Sequence, residues 1–388
     1  MMERPDVFEA MIPVADESQS SPIRKVMKLI EEKDDLLSLA AGEARFEPPA
    51  ELLDLAVEAM RSGKNIYTST SGIPLIRKAV ANFMARKYGV KLDPETQIAT
   101  TVGGMEAIYL ATRVLVGSGD RVLLPDPGWG VMWPLLVRKG AKVETYPLKE
   151  TDSWTIDADA ILARMGKNTR LLVLNSPSNP TGAVLEREGF SKVLERAREL
   201  GVFVLSDEVY DNFVYEGEPV SALSFGTPDH VLVINSFSKS FAVTGWRLGY
   251  AIGHPWLIRQ MNIYKETTSL CSFSIGQWAM GKYLSSSADY LETVRRLCKR
   301  NMEMVVERFK DIPGVRCTPA QGGFYLFPDF SAVEPSTEKL MHRFLDGGVA
   351  VVPGDFFGSL GKNRVRIMFA ANSDFLARAV DRLVAVLK

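Results

Sequence analysis

The sequence predicts an α/β fold: a mainly parallel, seven-stranded sheet with helices on both faces, accompanied by a smaller α+β domain. In the middle of the chain, short apolar runs alternate with segments of helical period, which is the pattern of buried parallel strands covered by helices. The apolar runs are residues 97–102, 121–125, 142–147, 170–175, 202–206, 230–235 and 247–252. Ligands bind such sheets beyond the carboxyl ends of the strands, so we expect the chemistry there.

The last hundred residues follow a different pattern, and 388 residues are too many for one simple core. Residues 289–309 predict one long charged helix, and residues 374–387 predict a terminal helix. Between them lie strand-like segments at 323–327, 349–352 and 365–369. Residues 22–32 predict a helix that joins the same part. We expect an N-terminal arm with part of the small domain (1–45), a large cofactor-binding domain (46–285) and a small C-terminal domain (286–388).

Composition argues against several classes of function. The chain has 46 Lys and Arg against 47 Asp and Glu, so no excess of positive charge favours nucleic acid as a partner. The three cysteines and three histidines are scattered, which predicts neither a disulfide framework nor a metal site. The N-terminal residues are polar and acidic, and no long apolar run occurs, so we expect a cytoplasmic protein without membrane contact.

The strongest chemical signal is the segment 235–250, NSFSKSFAVTGWRLGY. Lys239 follows an apolar run, and Ser236, Ser238 and Arg247 supply hydrogen-bond donors suited to a phosphate. A lysine desolvated between such groups has a lowered pKa and becomes a nucleophile toward an aldehyde. An isolated lysine at a strand end would instead be a solvated surface residue. The neighbouring donors favour the functional interpretation.

The second signal is the segment 202–210, VFVLSDEVY. Asp207 ends an apolar run, where burial of an unpaired carboxylate would be costly. A protonated ring nitrogen as its partner explains both the charge and the position, although Asp207 could also cap the next turn. Tyr210 could direct its hydroxyl toward the same ring. We interpret Glu208 as a surface residue.

Three further loops carry weaker signals. In NSPSNPTG, Asn179 offers an amide to a ring oxygen, or the segment is only a turn. In TTVGGMEA, the helix-start amides of Gly103, Gly104 and Met105 would bind an anion. In PDPGWG, Trp129 could stack on an aromatic cofactor or belong to the core.

Together these motifs resemble the fold-type I, class I/II aminotransferases, the aspartate-aminotransferase-like family, whose members use pyridoxal 5'-phosphate (PLP). The resemblance extends from about residue 39 to the C-terminus. The motifs occur in the order of the family: GE at Gly42, YTSTSGIPLIR at 67–77, GGM, PDPGW, NPTG, SDEVY, SFSK with GWRLGY, QGGFYLF, VVPGDFFG and VRIMFA.

The resemblance implies a role for each residue that would contact the ring of PLP. Lys239 would hold PLP as a Schiff base and then carry a proton between substrate and cofactor. Asp207 would pair with the pyridine nitrogen, while Tyr210 and Asn179 would bond the phenolic oxygen. Trp129 would stack on the ring.

The resemblance also implies the phosphate and substrate contacts. Gly103, Gly104, Met105, Ser236, Ser238 and Arg247 would surround the phosphate. Tyr67 would reach the phosphate from a neighbouring subunit, which implies a homodimer with shared active sites. Arg366 would bind the substrate α-carboxylate, near Asn179 and the backbone of Gly42. Without the resemblance, Arg366 would be interpreted as a surface charge at a strand edge.

The implied activity is transfer of an amino group from an L-amino acid to a 2-oxo acid, of the aspartate/glutamate type or with a broad substrate range. A PLP-dependent Cβ–S lyase, or another β-eliminating enzyme, would use the same residues. A cofactor-sensing regulator is less favoured, because the roughly forty residues before the first motif are too few for a winged helix. A nicotinamide dehydrogenase would need a G-x-G-x-x-G after a strand, and the sequence has none.

One segment departs from the family. After Gly42 and Glu43, many relatives have Pro-Asp-Phe, whereas this chain has Ala44-Arg45-Phe46. We advance the hypothesis that Arg45 favours substrates with an acidic side chain. The alternative is that Arg45 points into solvent.

Overall fold

A computed structural model describes residues 35–388. The first part of the described chain contains, in order, β1 (Leu37–Ser38), α1 (Ala50–Arg61), α2 (Pro74–Tyr88), β2 (Ile98–Thr101), α3 (Gly103–Leu115), β3 (Arg121–Asp126), α4 (Met132–Val137), β4 (Lys142–Pro147), β5 (Lys149–Glu150), β6 (Trp154–Thr155), α5 (Ala158–Arg164), β7 (Thr169–Asn175), α6 (Arg187–Leu200), β8 (Phe203–Asp207), β9 (Val231–Ser236), α7 (Phe237–Ser240), β10 (Gly249–Gly253), α8 (Pro255–Glu266) and α9 (Ser274–Tyr283). The remainder contains α10 (Ala288–Lys310), β11 (Tyr325–Leu326), α11 (Thr337–Asp346), β12 (Val349–Ala350), β13 (Val352–Pro353), β14 (Val365–Met368) and α12 (Ser373–Leu387).

The central sheet has seven strands in the order β2-β10-β9-β8-β7-β3-β4. Neighbouring strands are parallel from β9 to β4, and β10 alone runs antiparallel to both of its neighbours. The predicted sheet is therefore confirmed.

Both faces of the sheet are covered by helices. Along β7, Leu172 and Leu174 enter one apolar cluster, whereas Leu171 and Val173 enter another. Because successive side chains of a strand point to opposite faces, β7 separates two cores. Helices α5, α6 and α9 contribute to the first core, and α3 and α8 contribute to the second.

The C-terminal elements form the predicted α+β part around a third apolar cluster. A three-stranded sheet has the order β11-β14-β13, and the long helix α10 packs on the terminal helix α12. Strand β1 pairs in parallel with β12, which joins the start of the described chain to this part. The strand predicted at 349–352 is divided, because β12 pairs with β1 whereas β13 pairs with β14.

Two sequence predictions concern the N-terminal residues and the membrane. The helix predicted at residues 22–32 lies outside the described residues, as does most of the predicted N-terminal arm. Within residues 35–388, no helix combines the length and apolar character that a membrane span requires.

The topology brings several strand ends to one edge of the central sheet. The parallel strands β7, β8 and β9 end at Asn175, Asp207 and Ser236. Strand β10 runs the other way, so it starts at this edge, where Gly249 pairs with Ser236. Loops that carry most of the predicted site residues therefore leave or enter the sheet at the same place.

Candidate active site

A cavity of about 350 Å³ lies at this edge. It is lined by eleven of the predicted site residues: Gly42, Gly104, Met105, Trp129, Asn179, Asp207, Tyr210, Ser236, Ser238, Lys239 and Arg247. A larger cavity of about 620 Å³ adjoins it and shares Trp129, Asn175 and Asp207. No lysine, arginine or histidine of the described chain lines the larger cavity. The lysine amine that the predicted chemistry requires therefore lies in the smaller cavity, which we call the Lys239 cavity.

Lys239 lies on the single turn of α7, directly after β9. The side chain is half-buried, and its amine donates a hydrogen bond to the carbonyl oxygen of Gly42. Burial lowers the pKa of Lys239 to about 8, and the positive charges of Arg366 and Arg247 act in the same direction. A larger fraction of the amine is therefore unprotonated near neutral pH than for an ordinary lysine, which favours nucleophilic attack.

Asp207 ends β8 and is 6% exposed. Its carboxylate accepts one long hydrogen bond, 3.4 Å from the backbone nitrogen of Val209, and has no ion pair within residues 35–388. Burial raises the pKa of Asp207 to about 6, whereas the charge of Lys239 opposes the shift. A buried carboxylate without a cation is costly, and a protonated pyridine nitrogen would supply the missing partner. Asp207 therefore fits the ring end of PLP.

The other end of the cavity suits a phosphate. Helix α3 begins at Gly103, where φ is +71° and an added Cβ would lie 2.6 Å from Nη2 of Arg247. Ser236 and Ser238 are buried, with their hydroxyl oxygens 2.9 Å apart. Arg247 forms no ion pair with any acidic residue of the described chain. Helix-start amides, two hydroxyls and a guanidinium without a carboxylate partner can together bind a dianion, so this end fits the phosphate of PLP.

Asn175 holds the loop of Asn179 against Asp207. Its side-chain oxygen accepts from the backbone nitrogen of Asn179 at 2.7 Å, and its amide donates to the carbonyl of Asp207 at 3.1 Å. The hydroxyl of Tyr210 lies 3.0 Å from that of Tyr325. Burial and the neighbouring Tyr325 raise the pKa of Tyr210 well above its usual value, so the hydroxyl stays protonated and can donate.

Arg366 lies on β14, the middle strand of the small sheet, and is 1% exposed. Its Nη1 donates to the side-chain oxygen of Asn179 at 3.0 Å, and Nη2 donates to the carbonyl of Ala40 at 2.7 Å. The guanidinium stacks 4.2 Å from the ring centroid of Tyr325, while its Nε has no partner among the described residues. Arg366 is not the surface charge that the residue pattern without the resemblance would suggest, because β14 is flanked by strands on both sides. A buried guanidinium without a carboxylate suits an anionic substrate group.

Tyr67 lies apart from this group, whereas Trp129 belongs to it. Tyr67 is 81% exposed on the loop before α2 and does not line the Lys239 cavity of its own chain. Trp129 is half-buried and lines both cavities, so its position allows stacking on a ring in either one. The roles of both residues stay predictions.

Sequence reasoning missed Tyr325, which connects Tyr210 to Arg366. The motif QGGFYLF was recognised, but no role was given to its tyrosine. An available signal was the glycine pair before the strand: at Gly322, a Cβ would lie 2.7 Å from the carbonyl oxygen of Phe213. Such a close backbone approach indicates that the strand after it packs against the loop of Tyr210.

The interpretation of Glu208 as a surface residue was wrong. Glu208 is 1% exposed, and its carboxylate accepts from the Ser206 hydroxyl at 2.7 Å and the Ala222 nitrogen at 2.9 Å. The backbone nitrogen of Glu208 donates to Ile234 of β9, so the chain stays attached to the sheet instead of turning outward. Burial raises the pKa of Glu208 to about 7.

We expect the Glu208→Gln variant to gain thermal stability over the wild type as pH rises from about 4.5 to 7. In this window the unfolded carboxyl, whose ordinary pKa is 4.5, releases its proton while the folded one retains it, so wild-type stability falls. The full effect is roughly 3 kcal/mol, and glutamine removes it while keeping an acceptor oxygen. Melting temperatures of both proteins at pH 5 and pH 8 measure it. An equal difference at the two pH values contradicts the assignment.

The position of Arg45 does not support its predicted role in selecting acidic substrates. Its guanidinium lies 5.0 Å from the ring centroid of Phe375 on α12, and its backbone pairs with Ala371. Arg45 is exposed and does not line the Lys239 cavity. The alternative, an arginine that faces solvent, agrees better with the structure.

Comparison with known proteins identifies the family. The model of the family "Aminotransferase class I and II" matches residues 34–383. An aspartate aminotransferase from Pyrococcus horikoshii is 33% identical over 377 residues, which cover 95% of each chain. An aspartate/prephenate aminotransferase from Thermus thermophilus is 33% identical over 368 residues, which cover 94% of each chain.

Solved structures agree with this result. The structure of N-succinyldiaminopimelate aminotransferase from Mycobacterium tuberculosis has a TM-score of 0.91 and 28% identity, covering 96% of this chain and 100% of that one. Members of the class I and II family use PLP, which confirms the predicted cofactor and activity. The residues around Lys239 thus belong to a PLP-dependent enzyme, and the chain is a member of the class I and II aminotransferases.

Proposed function

We propose that this aminotransferase moves the amino group of an L-amino acid to a 2-oxo acid at the Lys239 cavity, with aspartate, glutamate or a broad range of amino donors. The observation that carries the proposal is the sharing of one cavity by the amine of Lys239 and the buried carboxylate of Asp207. Arg366 lies beside them and is joined to Asn179 of the same cavity. The fold thus brings together three groups: an amine that can attack an aldehyde, a carboxylate that can pair with a ring cation and a guanidinium that can bind an anion.

The described residues would hold PLP at both of its ends. Asp207 would accept a hydrogen bond from the pyridine nitrogen and keep a proton on it, while Tyr210 and Asn179 would donate to the phenolic oxygen. The start of α3, the two serines and Arg247 would bind the phosphate. Bound PLP supplies an electron sink that stabilises negative charge on the substrate.

Lys239 would then serve as the base that moves a proton from the substrate Cα to the cofactor. Its lowered pKa, about 8, suits a group that must accept and return a proton near neutral pH. Arg366 would fix the substrate by its α-carboxylate, with Asn179 beside it, so that the Cα proton faces the Lys239 amine. This positioning lowers the entropic part of the barrier.

A matrix of amino donors and 2-oxo acid acceptors, assayed on the purified enzyme, tests the proposal. We expect amino transfer to require both an L-amino acid and a 2-oxo acid, with a different 2-oxo acid released from the donor. Release of pyruvate and ammonia from one amino acid without an acceptor would instead indicate a β-eliminating enzyme.

The charges around the cavity bear on the choice of donor. Within the described residues, the cations at or beside the Lys239 cavity are Lys239, Arg247 and Arg366, and each already has a proposed task. A preference for acidic side chains therefore requires a further cation, which a partner subunit could provide. A preference for aspartate that survives dilution to the monomer would contradict this.

We further propose a homodimer whose subunits share active sites. An apolar surface supports it, formed by α1, the loop after it, α8 and the loop that follows α8. Its exposed side chains are Leu53, Val57, Met60, Ile66, Tyr67, Ile263, Tyr264, Leu270 and Phe273. Exposed apolar side chains concentrated on neighbouring segments are typical of a protein interface. Tyr67 lies within it, where its hydroxyl could reach the phosphate in a second copy.

Subunit complementation tests the shared site. We expect co-expressed Lys239→Ala and Tyr67→Ala chains to be more active than either variant alone. A mixed dimer contains one site with both wild-type residues, so about half of the sites in purified mixed dimers are wild type. The activity of affinity-purified mixed dimers measures this. Activity no higher than the mean of the two homodimers contradicts a site shared through Tyr67.

The division into an arm with part of the small domain (1–45), a large domain (46–285) and a small domain (286–388) stays a proposal. The separate apolar cluster formed mainly by residues after 286 supports it, as does the pairing of β1 with β12. The cytoplasmic location stays a prediction from the sequence.

A further inference from the structure

Two polar side chains are fully buried near β2, an edge strand of the central sheet, next to the proposed dimer surface. Lys265 on α8 and Gln277 on α9 are both 0% exposed. Neither lines the Lys239 cavity, and the proposed mechanism uses neither. Buried polar groups of this kind are costly unless their hydrogen bonds are satisfied, so their partners indicate what they are for.

Lys265 joins three segments through one ammonium group. It donates to the carbonyl oxygens of Thr70 at 2.8 Å and Thr100 at 2.7 Å, and to the hydroxyl of Ser272 at 2.9 Å. Burial lowers the pKa of Lys265 to about 8, so the ammonium form, with three hydrogens for three acceptors, still predominates at neutral pH. No acidic side chain of the described residues forms an ion pair with it.

Gln277 holds the same region from the neighbouring helix. Its amide donates to the hydroxyl of Thr68 at 3.0 Å and to the carbonyl of Ser272 at 2.9 Å. Its oxygen accepts from the backbone nitrogen of Ile73 at 2.9 Å. Gln277 therefore uses both its amide nitrogen and its oxygen to bond two loops. These are the loops of Thr70 and Ser272, which Lys265 also joins.

The segment 68–73 is fixed at further points. The backbone nitrogen of Thr100 donates to the carbonyl of Ser71 at 2.9 Å, and Nε of Arg77 donates to that of Gly72 at 3.1 Å. At Gly72, φ is +97° and an added Cβ would lie 2.6 Å from Thr100, so the loop approaches β2 as closely as glycine allows. Yet Tyr67, the next residue before this fixed segment, is 81% exposed.

From these contacts we infer that Lys265 and Gln277 are positioning residues that hold the Tyr67 loop in shape, so that the Tyr67 hydroxyl is presented to the PLP phosphate of a second subunit. The inference rests on the proposed shared site. It adds two residues that contact neither cofactor nor substrate and act through Tyr67. A preorganised loop loses little conformational entropy when the phosphate contact forms.

A double-mutant cycle tests this, with the PLP dissociation constant of the full-length protein as its readout. We expect Lys265→Met and Tyr67→Phe each to weaken PLP binding roughly 10-fold or more, the effect of losing one hydrogen bond to a charged group. In the Tyr67→Phe background, we expect Lys265→Met to weaken binding further by no more than about twofold, because the residue through which it acts is already disabled.

Arg121→Met is the matched control. Arg121 is a mostly buried cation that bonds Glu144 and Thr169 at the start of β3, the edge of the sheet opposite the cavity. Its loss should lower stability without changing PLP affinity, which separates a positioning role from general destabilisation. Fluorescence titration of the cofactor-free proteins, at concentrations where they have the wild-type oligomeric state, gives the four dissociation constants of the cycle and that of the control.

The outcomes distinguish the two proposals. If Tyr67→Phe binds PLP as the wild type does, the shared site fails and the present inference fails with it. If Tyr67→Phe weakens binding but Lys265→Met does not, or if the two effects multiply in full, only the positioning role is overturned. Should Lys265→Met fail to fold, Gln277→Met replaces it in the same cycle, and wild-type affinity of the folded Gln277→Met protein overturns the inference.

Discussion

Replacement of Lys239 by alanine is expected to abolish amino transfer and the absorbance band of covalently held PLP. The variant loses both the amine that would attach the cofactor and the base that would move the proton. General acid–base catalysis alone contributes about 10²–10⁴-fold, so we expect a fall in kcat of at least about 10⁴-fold when both functions are lost. Absorbance spectra and single-turnover reactions with an amino acid measure the two losses separately.

The control for this variant is Lys282→Ala. Lys282 lies on α9, where it forms an exposed ion pair with Glu58 at 2.7 Å, and neither residue lines the cavity. An exposed pair contributes little to stability, so this variant should keep the spectrum and the activity of the wild type. Turnover by Lys239→Ala within about tenfold of the wild type would exclude proton transfer by Lys239.

Replacement of Asp207 by alanine is expected to lower kcat by about 10²–10⁴-fold while PLP remains attached to Lys239. A buried charge that loses its partner costs about 3–5 kcal/mol, and here the charge left without a partner is the protonated pyridine nitrogen. Without Asp207 to hold a proton on the ring nitrogen, bound PLP would supply a weaker electron sink. The pH dependence of the absorbance of the bound cofactor, together with kcat, measures both effects.

Glu208→Gln provides the neighbouring control, since Glu208 is equally buried but faces Ser206 and Ala222 instead of the cavity. It should leave kcat within a few-fold of the wild type. An Asp207→Ala enzyme with wild-type kcat would show that the carboxylate has no part in the reaction, whatever its burial.

The sequence predicted the strands and the residues that follow them, because both depend on local information. Asp207 comes directly after an apolar run and Lys239 comes four residues after one, and parallel strands place their ends at one edge. The side chains that depend on distant contacts were harder to predict. Glu208 was assigned to the surface because the sequence does not reveal its buried partner Ala222, which lies fourteen residues away at the start of a 3-10 helix.

Arg366 shows the same limit more clearly. Its strand is four residues long and is buried only because β11 and β13 flank it. Residue patterns alone therefore assigned Arg366 to the surface, and only the family resemblance gave it a role. Lys265 was not singled out at all, because Thr70 and Thr100, two of its three acceptors, are 195 and 165 positions away in the sequence. Hydrogen bonds over such separations leave no periodicity to detect.

The reversed direction of β10 has a consequence for how firmly the cofactor would be held. A parallel strand after β9 would need a crossover of about a dozen or more residues, usually through a helix, before the chain could return to this edge. The antiparallel strand lets a short excursion leave β9 at Ser236 and re-enter the sheet at Gly249, its cross-strand partner. Lys239, which we propose attaches PLP, and Arg247, which we propose binds its phosphate, thus lie on one short segment whose two ends pair with each other in the sheet. The register of β9 and β10 therefore sets the distance between the two residues, instead of the docking of separate parts of the molecule.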